Sequence, residues 1–315
     1  MKETSNNYRT DLIKSEIDLE VILKILYNGK LLILFLTTAT FIIGVIYSLL
    51  LSNIYESKAL LAPVSSTSSI SGALKNFSGV AGIAGISIPG DGEDSSAAQA
   101  AAKLNTLSFF ENNILPSIYL PDLMAFYSWK GDTNTVVYDE SIFDFNTNSW
   151  IRDYSYPLKQ KPSAQEAFEV FKRKHFHVSK DKNTGFITLS VKHQSPFIAQ
   201  EWTEIIVKEI NSFYRQRDKT ESETAASYLD QQITNTTKAE VRQVIANLLQ
   251  EETQKLALIE ASEFYVFNYI DNPAAMEQKS EPQRPFIWFC SLVIGMMLGI
   301  TMVLIRHFIY EKEDN

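Results

Sequence analysis

Cysteine is nearly absent from this 315-residue sequence, and its single example is Cys290. Because Cys290 lies within an apolar run, the polar part of the chain has no thiols that could form a disulfide. The sequence also lacks a G-x-x-x-x-G-K-[ST] phosphate-binding loop and the G-x-S-x-G pattern around many nucleophilic serines. These absences predict no nucleotide-hydrolysing domain, no cofactor and no catalytic nucleophile, and they leave stability to packing and assembly.

Positive charge is also scarce, since 29 Lys and Arg stand against 37 Asp and Glu. A net charge of −8 offers no general attraction for polyanions, which excludes nucleic acid as an expected partner. His175, His177 and His193 could form a three-imidazole zinc site if two strands pair. Because residues 172–174 are all cationic, we expect surface histidines on a hairpin and no metal. The carboxylates are too numerous for a glycosidase pair to be identified or excluded by spacing.

Two long runs, 31–55 and 285–305, contain no charged residue. About 20 apolar residues suffice for a helix to cross a bilayer, so we predict transmembrane helices at 31–52 and 285–305. A cleaved signal peptide is the alternative for the first run, but the preceding 30 residues are long and mixed in charge, and no A-x-A cleavage site follows.

The short flanks of these runs predict their orientation, because Lys and Arg near a span are retained in the cytoplasm. Beyond the first run the nearest cation is Lys58, and Arg306 and Lys312 follow the second run. Both termini are therefore expected in the cytoplasm, with the intervening region outside. The cations before the first run are Lys2, Arg9, Lys14, Lys24 and Lys30.

The region between the runs mixes strand and helix patterns. We expect a strand at 55–63, a loop rich in Ser, Gly and Ala at 65–96, and an amphipathic helix at 97–115 that stops at Pro116. Residues 132–156 show no clear period and predict irregular surface over a small sheet. Ser163 and Glu166 form a capping-box pattern before a short helix. Residues 177–180 and 185–193 then indicate a hairpin.

A very long helix should begin at Pro196 after the cap residue Ser195, since residues 197–272 contain neither Gly nor Pro. We expect a reversal at 235–237 and an antiparallel helical pair, with a capping box from Thr237 to Glu240. One uninterrupted helix is the alternative. Apolar positions continue at helical spacing in the second helix at Val241, Val244, Ile245, Leu248, Leu256 and Ile259. A strand at 264–270 should then pair with the strand at 55–63.

Glycines mark the predicted spans. Gly295 and Gly299 form a small-xxx-small pattern that would let the second span approach Gly44 on the first. The alternative is that glycine is simply common in membrane helices. Pro282 and Pro285 lead into the second span at the membrane boundary.

In order and spacing, these features resemble the Wzz family of polysaccharide co-polymerases, also called O-antigen chain-length determinants. The resemblance runs nearly end to end, although no single motif is highly specific. It is carried by the segments Ile17-Asp-Leu-Glu-Val-Ile-Leu23, Tyr55-Glu-Ser-Lys-Ala-Leu-Leu-Ala-Pro63, Ser195-Pro196 through Tyr228-Leu-Asp-Gln-Gln-Ile233, Glu240-Val-Arg-Gln243 and Glu251-Glu-Thr-Gln-Lys-Leu256, and by the proline-rich approach to the second span.

The resemblance implies an α+β fold in which two transmembrane helices flank a periplasmic domain with a membrane-proximal α/β base and a long protruding helical hairpin. It also implies ring-like homo-oligomers in the bacterial inner membrane. The expected divisions are a cytoplasmic segment 1–30, a span 31–52, a periplasmic domain 53–284, a span 285–305 and a cytoplasmic tail 306–315, with the base at 53–194 and 263–284 and the hairpin at 195–262.

The resemblance further implies a non-catalytic regulator that sets the modal length of O-antigen made on lipid-linked polysaccharide by a Wzy-type polymerase. A short tail without a kinase favours O-antigen over capsule. The alternative is a structural subunit of a capsule or exopolysaccharide polymerisation and export complex. An enzyme acting on periplasmic glycan ranks third, and a sensory receptor is disfavoured because the tail offers no output module.

Overall fold

The computed structural model describes residues 19–64, 92–262 and 264–313. They form two compact units, one containing the chain up to Asn53 and from Ser280 onward, the other Ile54–Lys279. The helices are α1 (Leu19–Asn28), α2 (Lys30–Leu50), α3 (Gly92–Leu104), α4 (Leu107–Phe109, continued by a π-helical turn at Phe110–Ile114), α5 (Leu120–Met124), α6 (Ala164–Val170, continued by a π-helical turn at Phe171–His175), α7 (Pro196–Asn235), α8 (Ala239–Ala261) and α9 (Arg284–Glu313). The strands are β1 (Tyr55–Pro63), β2 (Phe126–Lys130), β3 (Thr135–Tyr138), β4 (Phe143–Asp144), β5 (Ser149–Trp150), β6 (Phe176–Lys180), β7 (Ile187–His193) and β8 (Phe267–Asp271).

Helices α2 and α9 carry the two apolar runs and pack against each other in the first unit. The segments Lys30–Leu50 and Arg284–His307 have mean hydropathies of 2.2 and 2.3 and are long enough to cross a membrane. Only 11% and 17% of their most apolar windows are buried, unlike the core helix of a soluble protein. They are two candidate membrane-spanning helices.

The second unit is built on a four-stranded antiparallel sheet of order β6-β7-β1-β8. Helix α7 packs on β1 and β7, and alternate residues of β1 at Ser57, Ala59 and Leu61 are buried. In α7 the buried residues Trp202, Ile206 and Ile210 recur every four positions and face this core. The expected pairing of the first and last strands is confirmed, with Leu61 opposite Tyr269. The mixed α and β class is likewise confirmed.

The N-terminal caps predicted for α6 and α7 are confirmed. The Ser163 hydroxyl accepts from the Glu166 N–H at 3.2 Å, and the Glu166 carboxylate accepts from the Ser163 N–H at 3.0 Å, which completes the capping box. Ser195 accepts from the Ile198 N–H at the start of α7. Gly185, at φ +72°, lies in the β6–β7 connection, where a left-handed residue is needed.

Three expectations are wrong in detail. The helix expected at 97–115 is interrupted, because Thr106 leaves helical geometry and its side chain caps the next helix by accepting from the Phe109 N–H. Residues 92–96 of the expected loop belong to α3, while 65–91 lie outside the described residues. Residues 126–150 form two small hairpins, β2–β3 and β4–β5, that include part of the expected irregular surface.

The reversal near residue 236 is confirmed, but its expected cap is not. Helix α8 is preceded by Lys238, which makes no side-chain cap bond, so the box from Thr237 to Glu240 does not form. Arg242 instead donates to the Thr236 carbonyl at 2.8 Å and closes the connection. The two helices run antiparallel, which excludes the single uninterrupted helix.

Candidate functional site

The three glycines singled out in the sequence lie where α2 and α9 approach each other. A methyl group added at Gly44 would meet the side chain of Ser291, and one at Gly299 would lie 2.9 Å from the Cα of Ile33. A methyl group at Gly295 would meet the side chain of Thr40. Gly44 therefore faces Ser291 rather than the Gly295–Gly299 pair.

Threonine hydroxyls in α2 bond within their own helix. Thr37 donates to the Ile33 carbonyl at 2.7 Å, and Thr40 donates to the Leu36 carbonyl at 2.9 Å. Helix α9 consequently meets satisfied hydroxyls, and close van der Waals packing is the contact that the glycines permit.

Pro282 and Pro285 flank the beginning of α9. The Pro282 carbonyl accepts from the Arg284 N–H at 3.0 Å, and Pro285 occupies the first turn, where its missing N–H removes no helical bond. The Arg284 guanidinium donates to the Asn53 side chain at 3.2 Å, which ties the start of α9 to the chain just beyond α2.

The hairpin root, which we define as residues 211–219 of α7 with 258–262 and 264–267, is organised by Asn211. Its side-chain oxygen accepts from the N–H groups of Tyr265, Val266 and Phe267 at 3.1, 2.7 and 3.0 Å. Its amide nitrogen donates to the carbonyls of Val207 and Phe267 at 3.0 and 3.1 Å. One buried amide thus fixes the chain that leads into β8 against the middle of α7.

Charged groups of the next two turns of α7 lie on the more exposed side of the root. Arg215 donates to the Ser262 carbonyl at 2.6 Å, and the Tyr265 hydroxyl donates to Asp218 at 2.7 Å. Burial and that bond to Asp218 raise the pKa of Tyr265, so the hydroxyl keeps its proton. An ion pair joins Lys219 on α7 to Glu260 on α8.

Beyond the root, residues 220–257 form the distal hairpin, where α8 has a surface that α7 does not cover. Ile245 and Leu256, together with Ile259 in the root, are partly or fully buried, as the predicted stripe requires. The other apolar positions, Val241, Val244 and Leu248, are 44%, 58% and 44% exposed. Part of this apolar stripe therefore packs against α7, while Val241, Val244 and Leu248 form an open face on α8.

The histidines do not form the expected exposed set. His175 and His193 are largely buried against Trp202, with their ring centroids 5.5 Å apart, while His177 is exposed. His193 Nδ1 accepts from the Ser195 N–H at 3.0 Å. Burial lowers the pKa of His175 to about 4 and that of His193 to about 3. Two of the three are therefore neutral core residues.

Metal ligation finds no support in this geometry. Among the described residues, no group of three or more His, Cys, Asp and Glu side chains is arranged to hold a metal ion. His193 Nδ1 accepts from the Ser195 N–H, so it could bind a metal only after that bond was broken.

The role of Asn211 was not predicted from the sequence, and His193 was predicted to lie on the surface although it is 2% exposed. Asn211 comes directly after Ile210, the last of the apolar residues that recur every four positions in α7. Its sequence position shows that it faces the core only once it is known which side of the helix is buried. His193 occupies an inward position of an alternating strand, and that alternation was the available signal.

Two protein-family models match segments of this chain, one toward each end. A family model described as Wzz, chain length determinant protein, matches residues 15–107. A second, described as a G-rich domain on putative tyrosine kinase, matches residues 230–308. No curated protein matches the sequence.

Two solved structures are similar over most of the chain. A full-length bacterial polysaccharide co-polymerase is 13% identical, covers 94% of this chain and 98% of its own, and has a TM-score of 0.41. A fragment of WzzB, a polysaccharide co-polymerase from Salmonella Typhimurium, is 11% identical, covers 73% of this chain and 100% of its own, and has a TM-score of 0.32. Both TM-scores are below 0.5, so the family assignment of this chain rests on the matches to the family models.

Proposed function

We propose that this chain, which belongs to the Wzz family of polysaccharide co-polymerases, sets the modal length of O-antigen made by a Wzy-type polymerase. Members of the family determine polysaccharide chain length as oligomeric regulators. The observation that carries the proposal is the chain-length determinant match over residues 15–107, which includes α2 and β1.

On this proposal, α2 and α9 span the bacterial inner membrane, both termini are cytoplasmic and residues 53–284 are periplasmic. The base of residues 53–194 and 263–284 assembles into a homo-oligomeric ring, and the hairpin of residues 195–262 extends from it. The chain acts without catalysis on a polymerase and its lipid-linked polysaccharide, and no nucleic acid takes part.

The direct test is the length distribution of lipopolysaccharide O-chains, separated on a gel, from cells with and without the gene. We expect a sharp modal band that becomes a graded ladder on deletion and returns when the gene is restored. Loss of all polymer would contradict a purely regulatory role, because a regulator of length leaves the polymerase active.

A second candidate is a structural subunit of a capsule or exopolysaccharide complex. The match of residues 230–308 to a domain described on a putative tyrosine kinase favours it. Deletion would then leave the O-chain ladder unchanged and alter the size or amount of capsular polysaccharide, measured by gel filtration.

We also propose that Gly44, Gly295 and Gly299 pack the two spans together, with Pro282 and Pro285 shaping the approach to the second. The variant Gly295→Leu would place a large side chain against Thr40 and Thr37, so the helices must separate or rotate. We expect a broadened or shifted chain-length distribution with polymer still present.

The matched control is Met297→Leu, since Met297 is 65% exposed on the same helix. Its gel pattern should equal that of the unaltered protein. Identical patterns for Gly295→Leu and Met297→Leu, at equal protein levels, would contradict the packing role of the glycine.

A further inference from the structure

A cleft of about 580 Å³ lies in the second unit where three segments of the chain meet. One wall comes from the turn before α5, another from the β4–β5 hairpin, and the third from the residues that precede α6. Its volume lies within the roughly 300–1,000 Å³ typical of ligand pockets. Its lining includes Tyr119, Phe143, Asn148, Trp150, Lys161 and Pro162.

Three aromatic rings shape this cleft. Phe143 is 1% exposed, and its ring centroid lies 5.1 Å from that of Trp150 and 6.4 Å from that of Tyr119. The Trp150 ring is tilted at 57° to Phe143 and the Tyr119 ring stands nearly perpendicular at 84°. Phe143 therefore acts as a fixed support for two flanking rings that retain accessible surface.

A rigid turn places one amide beside these rings. Asn148 has a φ of 50°, and the Asp144 carboxylate accepts from the Asn146 N–H at 2.9 Å and from the Thr147 hydroxyl at 2.8 Å, which fixes the turn. The Asn148 side-chain oxygen accepts from the Tyr119 hydroxyl at 3.0 Å. Since that oxygen is engaged, the amide nitrogen is the group of Asn148 left to donate to a ligand.

The lining contains one ionisable amine, Lys161, and no carboxylate. Flat aromatic surface beside a few neutral polar groups suits a pyranose ring, which has an apolar C–H face and hydroxyls at its edge. A single cation would additionally favour a sugar that carries a carboxylate or another anionic substituent.

We propose that this cleft binds a saccharide unit of the polysaccharide whose length the chain regulates. The sugar's C–H face lies on the Trp150 and Tyr119 rings, the Asn148 amide donates to a hydroxyl, and the Lys161 ammonium contacts an anionic substituent. This inference rests on the proposed function, from which the ligand class is taken. It assigns the co-polymerase a direct glycan contact outside the helical hairpin.

The test is a binding measurement on the full-length protein in detergent micelles. The probe is polysaccharide released by mild acid from the surface of the source strain, with dextran as the reference glycan, and binding is followed by saturation-transfer NMR. We expect the strain's polysaccharide to bind in preference to dextran. We expect Trp150→Ala to weaken this binding roughly tenfold, the effect of removing an aromatic anchor of a binding site.

Two further variants separate loss of binding from loss of folding. Trp150→Phe retains a ring and should keep most of the affinity, while Asn148→Asp keeps a residue suited to the turn and should lose about threefold. The matched control is Tyr156→Ala, because Tyr156 is 96% exposed and outside the cleft lining. Its affinity should not change.

Equal affinity of the unaltered protein, Trp150→Ala and Tyr156→Ala would overturn the cleft as the binding site. Binding no better than dextran would overturn it as well. Neither result bears on the proposed function, which the deletion gel tests separately. If the modal band is lost on deletion but no glycan binding is found, the role in length control stands and the cleft is rejected as a glycan site.

Discussion

The two halves of α7 share one helix but differ in their surroundings. Residues 196–214 pack on the sheet and contribute Trp202, Ile206 and Ile210 to the core, whereas residues 220–235 contact mainly α8. Over 40 residues, at about 1.5 Å each, the helix is roughly 60 Å long, more than one compact core covers. The difference indicates that the first half contributes to the core of the second unit, while the second half depends mainly on its contact with α8.

The largest expected effect is at Asn211, near the end of the first half. Replacement by Ala removes the acceptor of two buried N–H groups and one partly buried N–H group, and a buried N–H left unsatisfied costs about 1–3 kcal/mol. We expect Asn211→Ala to lower the free energy of unfolding by roughly 3–5 kcal/mol. Thermal unfolding in detergent measures the loss, and hydrogen exchange should show it first at residues 265–267.

The control for Asn211→Ala is Asn247→Ala on the distal hairpin. Asn247 is exposed and accepts one bond from Gln243 at 3.1 Å, so its removal should change stability by less than about 0.5 kcal/mol. Equal effects at the two positions would show that the buried amide of Asn211 contributes no more to stability than an exposed amide on the distal hairpin.

The second prediction concerns stability at low pH, because the buried His175 and His193 pack against Trp202 in the first half of α7. Their pKa values in the folded protein, about 4 for His175 and about 3 for His193, are lower than the ordinary value of about 6.5. The unfolded chain therefore binds protons first as the pH falls. The contribution of the neutral histidines to stability is complete above about pH 6.5 and declines as the pH falls toward their folded pKa values.

Between pH 7 and pH 5 this loss should reach about 2 kcal/mol for each histidine. Protonation of His193 at Nδ1 would also oppose the Ser195 N–H at the start of α7. The measurement is the midpoint of thermal unfolding against pH, with His193→Gln as the comparison and the exposed His177→Gln as control. A profile unchanged by His193→Gln would contradict the role of this group.

Much of this fold was predictable from sequence because its boundaries are local. The Ser163–Glu166 box, the Ser195-Pro196 start and the uninterrupted helical stretch after it depend on neighbouring residues, and all three are confirmed. The interruption at Thr106 and the start of α8 after Lys238 were missed because helix ends are the least certain part of a pattern: the Thr106 side chain caps the next helix, and Lys238 makes no side-chain cap bond.

The candidate site was less accessible to prediction. Asn211 joins residues more than 50 positions apart, and the cleft at Trp150 is assembled from three separate segments. A sequence shows which side chains exist but not which distant segments meet, so the glycines of the spans and the prolines before the second span could be named in advance, while Asn211 and the cleft could not.

A smaller effect is expected at Tyr265, on the outer side of the hairpin root. Tyr265→Phe keeps the ring and removes the bond to Asp218, in a partly exposed setting where one such bond contributes about 1 kcal/mol. We expect a small decrease in the unfolding midpoint and no change in the secondary structure seen by circular dichroism. The control is Tyr228→Phe, since Tyr228 is 60% exposed on the distal part of α7. A decrease as large as that of Asn211→Ala would show that the charged groups, rather than the buried amide, hold the root.

The smallest effect on stability is expected on the open face of α8, and there function should respond instead. Val244 is 58% exposed, so Val244→Lys should change the free energy of unfolding by less than about 0.5 kcal/mol. If Val241, Val244 and Leu248 contact a neighbouring subunit of the proposed ring, a charge at Val244 should shift the mass of the oligomer measured by light scattering and alter the O-chain distribution.

Arg242→Ala offers a contrast, because it opens the connection at Thr236 without adding charge to this face. Unchanged oligomer mass and chain length for Val244→Lys would show that the open face of α8 takes no part in assembly.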